Sequence, residues 1–474
     1  MTLSLVTQKN EYQQNDVALD EIIAITSLLC ERLDSRTNDV RLFMKYYDGD
    51  HNIKFATEKF RRAFNNLFNA MSNNWMQLIV DSSVERLQVR GFRVGHEDIA
   101  DDDAWKIWRA NNMDALSNIA HTDAVKCGES YLMITPRGEG RIPLITVEHP
   151  LHVYVQRSPE NPLQYDAAVK RWVGSDGYVR VNLYLPTAIY RFVSQAKKTD
   201  IDKRGTKKPK LTTIGVENNP LGMVPIVPLT NNLDLIEGGR SDLEVAIPLQ
   251  DVINKYCLDM QVSSEHHAFP QRTATGWEVP TKEDGEPDIA ELQALSVKSS
   301  SMSMLVSESP DTKFGTLTPG DVRNYIEPIE MAIDHLAALT RTPAYYLKGK
   351  MANLSADALR AADAGLVSKC ERKQMYFGDG WEQTISLCFR AMGKKTLLVE
   401  EDQLIETVWA DAEKKNLGQL VDAAVKMNSS LGVSYEDCWE LLGWSPQKIK
   451  EGLAKSNLPD RTANLPKSTV LSAA

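Results

Sequence analysis

The sequence predicts a multidomain α+β chain, and three changes of periodicity predict it. Residues 17–47 and 57–88 carry apolar side chains at helical spacing, and residues 131–193 switch to the two-residue alternation of strands. Two further helical segments, 241–268 and 322–340, then flank an interval of low hydrophobicity running from Pro270 to Gly320. With 474 residues, 42% of them hydrophobic, the chain can bury sizeable cores. At roughly 150 residues per domain it holds about three modules.

In the second of these helical stretches Phe60, Phe64, Leu67, Phe68 and Met71 form one stripe, and Trp75, Leu78, Ile79 and Val84 form the next. The run "DDDAWKIWRANNMDALSNIAHTDAVKCGES" predicts two more helices. Asp101, Asp102 and Asp103 suit a helix start, where carboxylates meet the positive end of the dipole, and Gly128 suits a stop. The triplet reads as a cap rather than as metal ligands, because adjacent side chains do not converge on one ion. Strands follow from Tyr131, with Val179, Val181, Leu183 and Leu185 alternating with polar residues and "GSDG" at 174–177 as a hairpin turn. Between 195 and 210, "QAKKTDIDKRGTKKPK" sets seven basic residues against Asp200 and Asp202. It is either a phosphate-contacting patch or a solvated loop between strands. "NNPLGMVPIVPLTNN" reads as a proline-punctuated connector out of the β-rich part.

The next unit starts with Leu243, Ala246, Ile247, Ile253, Tyr256, Cys257 and Met260 at helical spacing, with Pro248 starting or kinking the helix. "KEDGEPD", "KSSSMSMLVSESPD" and "KFGTLTPGD" fit short strands and turns. A returning helix carries Val322, Tyr325, Ile326, Ile329, Ile333, Leu336 and Thr340 on one face, and Pro328 predicts a bend in it. Both legs read as acidic: Arg240 and Lys255 stand against Asp242, Glu244, Asp251, Asp259 and Glu265, and Arg323 and Arg341 against Asp321, Glu327, Glu330 and Asp334. "RTPAYYLKGKMANLSADALRAADAGLV", from Arg341, then places a short cationic turn before a helix that begins at Asn353 or Ser355. Leu354, Ala358, Ala361, Ala362, Gly365 and Leu366 give that helix a small-residue face. "GDG" at 378–380 predicts a kink or break before Trp381, Ile385, Cys388, Phe389 and Met392 resume the period.

Composition narrows the function classes. The net charge of −10 argues against a protein that grips nucleic acid over its whole surface. The amino terminus lacks a basic segment followed by an apolar one, and no window reaches the ~18 apolar residues of a membrane span, so a chain that is neither exported by that route nor inserted is expected. Six cysteines, Cys30, Cys127, Cys257, Cys370, Cys388 and Cys438, lie far apart and read as reduced core residues. The nearest approach to a phosphate-binding loop is Gly349–Lys350, but Met351 stands where Ser or Thr would bind Mg²⁺ and Ala344 where the first Gly belongs. His149, His152, His266 and His267 lack a patterned metal-binding partner. No catalytic residue, cofactor or metal site is predicted.

Taken in order, "YYDGDHNIKFATEKFRRAF", "NNWMQLIVDSSVERLQVRGF", "GMVPIVPLTN", "IPLQDVINK" and "TPAYYLKGKMANLSADALRAADAGLV" resemble the portal, or head-to-tail connector, protein of tailed double-stranded-DNA bacteriophages. The resemblance spans most of the chain. It implies a structural, non-enzymatic protein of the virion. Such proteins form a homo-oligomeric ring, usually a dodecamer, at one capsid vertex, and double-stranded DNA is packaged and ejected through the ring. It further implies assembly in the host cytoplasm and docking to a large terminase ATPase, to scaffolding and major capsid proteins, and to a head-completion or tail adaptor protein, with no membrane involved.

By position, the resemblance implies a disordered start (1–16), an α/β wing (17–235), a stem helix (236–269), a small β clip (270–318), a second stem helix (319–340), a tunnel loop (341–353), a long tunnel helix (354–395), a helical crown (396–458) and a flexible tail (459–474). It implies that Arg341, Tyr345, Tyr346, Lys348, Lys350 and Asn353 in the tunnel loop face DNA. Asp321, Glu327, Glu330 and Asp334 then make an acidic stem channel that repels phosphate, so that DNA slides rather than being held by many ion pairs. The competing reading of the loop is that its cations pair with carboxylates and its tyrosines are core. At the level of function, a metal-dependent nucleic-acid-processing enzyme using scattered carboxylates and a monomeric DNA-binding adaptor using the basic stretch 197–210 are the alternatives.

Overall fold

A 33-residue helix, α1 (Asn15–Tyr47), joins separate cores: Ile22 and Leu29 lie against a five-stranded sheet, whereas Tyr46 enters the main core. The computed structural model describes residues 15–51, 73–94, 101–161, 164–199, 210–234, 238–268, 272–275, 286, 311, 313–316, 321–349, 356–393, 405–413 and 417–455. The stripe expected from Phe60 to Met71 lies outside the described residues. The next one is present as α2 (Met76–Val84), with Met76, Ile79, Val80 and Val84 buried.

After β1 (Val89–Val94) come α3 (Asp102–Ala110) and α4 (Met113–Cys127), bounded as expected. Asp101 accepts a hydrogen bond from the Ala104 N–H at 2.7 Å. Gly128 ends α4 at φ 93°, and a Cβ there would sit 2.5 Å from the Gly239 carbonyl oxygen, so glycine is required on both counts. α4 covers a three-stranded antiparallel sheet with β2 (Glu129–Thr135) between β3 (Leu144–Glu148) and β9 (Ile226–Thr230).

The strands between form the five-stranded meander: β4 (Val153–Arg157), β5 (Tyr165–Val173), β6 (Tyr178–Tyr184), β7 (Ala188–Lys197) and β8 (Leu211–Asn218), adjacent in chain order and antiparallel. Val179, Val181 and Leu183 are buried under Ile22 and Leu29, as their alternation requires. "GSDG" makes the β5–β6 turn, with Gly177 at φ 82°. The basic stretch falls between paired β7 and β8, and residues 200–209 of it lie outside the described residues.

The two acidic legs are α5 (Ile247–Ala268), which Pro248 starts, and α6 (Ile326–Thr340), packed side by side. At their far end β10 (Arg272–Thr275) and β11 (Lys313–Thr316) pair antiparallel, closing the β excursion. The bend expected at Pro328 is not inside the helix. A 3₁₀ turn, Val322–Tyr325, precedes α6, and Pro328 occupies the first helical turn, where its missing N–H has no intrahelical partner to lose.

A five-residue helix, α7 (Ala344–Lys348), lies within the expected loop and precedes α8 (Ala356–Ala391). α8 runs unbroken through "GDG", contrary to the expected kink. Gly380 serves packing instead: a Cβ there would meet Leu229 Cδ2 at 2.5 Å and the Pro228 carbonyl at 3.2 Å. Trp381 and Phe377 on this helix fill the main core with Trp108, Phe92 and His121; the Trp381 indole donates to His121 Nε2 at 3.0 Å. Burial holds that imidazole neutral, its pKa lowered to about 3.

The segment expected to be a helical crown begins differently. Ile405–Trp409 is a strand, β12, pairing antiparallel with β1. Its β-branched and aromatic residues return the chain to the main body before α9 (Leu417–Lys426), a π-helical turn (Met427–Leu431), α10 (Tyr435–Leu441) and α11 (Pro446–Lys455).

The reading of the glycines in α8 is testable by denaturant unfolding. Gly380→Val is expected to cost about 1–3 kcal/mol by overpacking against β9. Gly378→Ala, whose Cβ would make only an ordinary 3.5 Å contact with Trp409 Nε1, is expected to gain up to about 1 kcal/mol in helix propensity.

Candidate nucleic-acid interface

α6 buries Ala332, Ile333, Leu336, Ala337 and Thr340, and this leaves Glu327, Glu330 and Asp334, spaced i, i+3 and i+7, together on its exposed side. Asp321 lies just before, exposed, accepting from the Arg323 N–H at 2.9 Å as the cap of the 3₁₀ turn. All four carboxylates expected in an acidic channel are therefore on solvent-facing positions of one element. The other flank of the same exposed side is apolar, with Met331 54% and Leu339 60% exposed.

The first leg behaves differently. Of the carboxylates that make this leg acidic, Asp242 and Asp251 are buried, and Asp259 is paired with Lys255 one turn away. Asp251 accepts from the Tyr46 hydroxyl at 2.5 Å. Asp242, with its side chain 3% exposed, meets Lys369 at 2.7 Å and Lys373 at 2.8 Å, and accepts from Asn231 at 2.9 Å and Asn232 at 2.8 Å. Burial opposes ionisation of this carboxyl, but the two ammonium groups outweigh it and hold the pKa far below the usual carboxylate range. Burial pulls Lys373 down to about 8, with Asp242 acting against the fall. Lys369 also donates to the Thr340 carbonyl at 3.0 Å, at the negative end of the α6 dipole.

At that end Arg341 caps α6 in the left-handed region, φ 54°. It is exposed and has no ion-pair partner among the described residues. Pro343 then starts α7, which is fixed at several points. Leu347 is buried, and its carbonyl accepts from the Trp75 indole at 3.0 Å. The Tyr345 hydroxyl donates to Asp363 at 2.5 Å, and Arg86 donates to Asp363 at 2.9 Å, to the Tyr346 oxygen at 3.4 Å and to the Ala412 carbonyl at 3.0 Å. Burial, with the Asp363 carboxylate beside it, pushes the Tyr345 phenol up, so it remains a donor. Lys348 pairs with Asp334 at 2.5 Å across the turn. Gly349, at φ 61°, ends α7.

The six loop candidates thus divide. Arg341 is presented to solvent, Tyr345 and Tyr346 are hydrogen-bonded into the body, Lys348 is paired within the chain, and Lys350 and Asn353 lie outside the described residues. Sequence reasoning missed the anchors Trp75, Arg86 and Asp363, and the lysines beneath Asp242. Lys369 and Lys373, four apart and interleaved with Leu366, Cys370 and Phe377 on the buried side of α8, were the available signal.

Among the described residues no group of three or more His, Cys, Asp or Glu is arranged to hold a metal ion. His149 Nδ1 accepts from the Leu151 N–H at 3.1 Å, and His152 lies 3.1 Å from the Arg171 carbonyl. The side chains of His266 and His267 lie outside the described residues.

Asp242→Asn is expected to leave both lysines without their counter-ion and to cost about 3–5 kcal/mol. Because the folded-state carboxyl titrates below the unfolded one, its contribution is complete above about pH 5 and is lost as pH falls. The variant should therefore show a shallower acid limb when stability is measured against pH.

The chain matches the family model described as phage portal protein, SPP1 Gp6-like, over residues 29–452. It is 28% identical over 408 residues to the portal protein of Mycobacterium phage D29, covering 80% of this chain and 79% of that one. It is 26% identical over 480 residues to the portal protein of Mycobacterium phage L5, covering 92% and 90%. Among solved structures it is similar to a chain in the neck of a native gene transfer agent particle computed with C12 symmetry, at 12% identity and TM-score 0.44, covering 81% of this chain and 91% of that one. A chain in the virion of the native gene transfer agent aligns at 12% identity and TM-score 0.42, covering 85% and 93%. With the family match running from residue 29 to residue 452, the chain belongs to the SPP1 Gp6-like family of phage portal proteins.

Proposed function

We propose that this portal protein assembles with copies of itself into a ring, of about twelve subunits, at a capsid vertex of the virion, and that genomic double-stranded DNA passes through the centre during packaging and ejection. The observation that carries the channel assignment is the α6 face. Glu327, Glu330 and Asp334, the last paired with Lys348, lie together on its exposed side, and the chain ends that helix in an exposed cation, Arg341, held on a turn that is bonded to the body.

An acidic wall and a sparse cationic constriction do different things to a polyanion. The wall carries like charge, so DNA forms few ion pairs with it and is not retained by counterion release. The constriction then needs only enough positive charge to centre the duplex. Arg341, with Lys350 and Asn353, is assigned that role, and Lys348 joins it only when it exchanges Asp334 for phosphate. Tyr345 and Tyr346 position the turn through Asp363 and Arg86. Movement is driven by a separate terminase ATPase docked at the clip, while scaffolding and major capsid proteins and a tail adaptor engage other parts of the ring.

A metal-dependent processing enzyme using scattered carboxylates is not favoured, because the family to which the chain belongs is structural.

Replacing Glu327 and Glu330 with Gln removes two negative charges per subunit from the exposed side of α6. DNA packaging by particles carrying the double variant is expected to slow at least about threefold at ~10 mM salt, where the Debye length is about 30 Å, and to approach wild type at ~150 mM, where it is about 8 Å. Equal rates for the two proteins at low salt would remove α6 from the channel wall.

A further inference from the structure

The outer edge of β3 is half-filled, and what fills it shows what the remainder accepts. Leu144, Thr146 and Glu148 lie opposite Thr135, Met133 and Tyr131 of β2, while the Ile134 N–H turns the other way, to the Pro225 carbonyl at 2.8 Å. The alternation of an antiparallel pair therefore turns the backbone groups of Ile145 and Val147 away from the sheet. At Ile145 that edge is met by a side chain: Asn111 Oδ1 accepts from the Ile145 N–H at 2.9 Å, and Asn111 Nδ2 donates to the Pro143 carbonyl at 3.1 Å. The buried amide of Asn111 takes the place of one peptide group of an adjoining strand.

The next positions have no such substitute. The outward N–H and C=O of Val147 have no partner among the described residues. Beyond it, His149 Nε2 is buried without a hydrogen-bond partner. Because its Nδ1 accepts from the Leu151 N–H, Nε2 carries the ring proton and requires an acceptor. The outward backbone groups at 145 and 147 follow the two-residue repeat that an extended backbone satisfies.

A cleft of about 670 Å³ runs beside this edge between β3 and α4. Leu116 and Ile119 form its α4 side, with Ile119 53% exposed. Arg137, in the β2–β3 connection, lines the cleft with no ion-pair partner among the described residues, whereas Asp123 is neutralised by Lys126 at 2.8 Å. The uncompensated charge is positive.

We propose that this edge receives an extended segment of another protein of the same particle. The segment adds as a strand beside β3, sets apolar side chains on Leu116 and Ile119, and brings a carboxylate to Arg137. Main-chain bonds to Val147 supply affinity and the alternate side chains supply selectivity. The proposal rests on membership of the portal family and not on the channel reading.

The test is an array of overlapping 12-residue peptides spanning the other proteins encoded in the same genome, probed with the full-length protein and two variants. Ile119→Glu changes an exposed position. Val147→Pro removes an outward N–H at an edge position that tolerates proline, together with a half-buried side chain packed on the main core, so its unfolding midpoint is read alongside binding. Wild-type protein is expected to bind a subset of peptides with alternating apolar residues and an acidic residue, and both variants to bind them at least about tenfold more weakly, the loss expected for one or two missing contacts. Absence of binding, or binding unchanged in both variants, would overturn the proposal. So would a change in oligomeric state on Ile119→Glu, which would make a second copy of this chain the occupant. Oligomer size, read on the same samples, separates failure of this site from failure of the ring.

Discussion

The buried contact of Asp242 with Lys369 and Lys373 is the constraint on which the rest of the chain depends. Asp242 stands just before the outgoing leg, Lys369 reaches the last carbonyls of the returning leg, and Lys373 is bonded to Asn231 at the end of β9. One cluster thus ties both legs and the sheet to the long helix. Two ammonium groups against one carboxylate leave an excess positive charge, and the Thr340 carbonyl and Asn231 oxygen absorb it. Removing the carboxylate would leave two buried ammonium groups without a counter-ion, so its position between the lysines is strongly constrained.

The candidate interface inherits that rigidity. α6 is held at its carboxyl end by Lys369, and the turn that follows is bonded to three separate elements through Trp75, Arg86 and Asp363. The exposed charges of α6 and Arg341 therefore keep fixed relative positions. A surface that guides a moving polymer by weak, repulsive contact needs that fixity, because a pliant wall would collapse onto the phosphates wherever a cation allowed it.

Much of the framework was legible from local pattern. The β5–β7 strands follow from alternation and "GSDG", α3 and α4 from Asp101 and Gly128, and the acidic face of α6 from helical spacing. What was misread depended on distant partners. Asp242 looked like a solvated charge because its lysines lie more than a hundred residues on; "GDG" looked like a break because the cost of glycine in a helix is local while the contact with Leu229 is not. β12 was lost within an expected helical region because its partner, β1, precedes it by some three hundred residues. In the turn, composition pointed to cations and tyrosines, but only geometry separates the exposed Arg341 from the anchored Tyr345 and Tyr346 and the paired Lys348.

The most direct test of the central claim is an electron-microscopic reconstruction of the assembled protein, expressed alone and with its capsid and scaffolding proteins. The account predicts a closed ring of about twelve subunits in which Glu327, Glu330 and Asp334 of every α6 face an open centre wide enough for duplex DNA. A protein that stays monomeric even with its assembly partners, or a ring in which that face is turned away from the lumen, would contradict it.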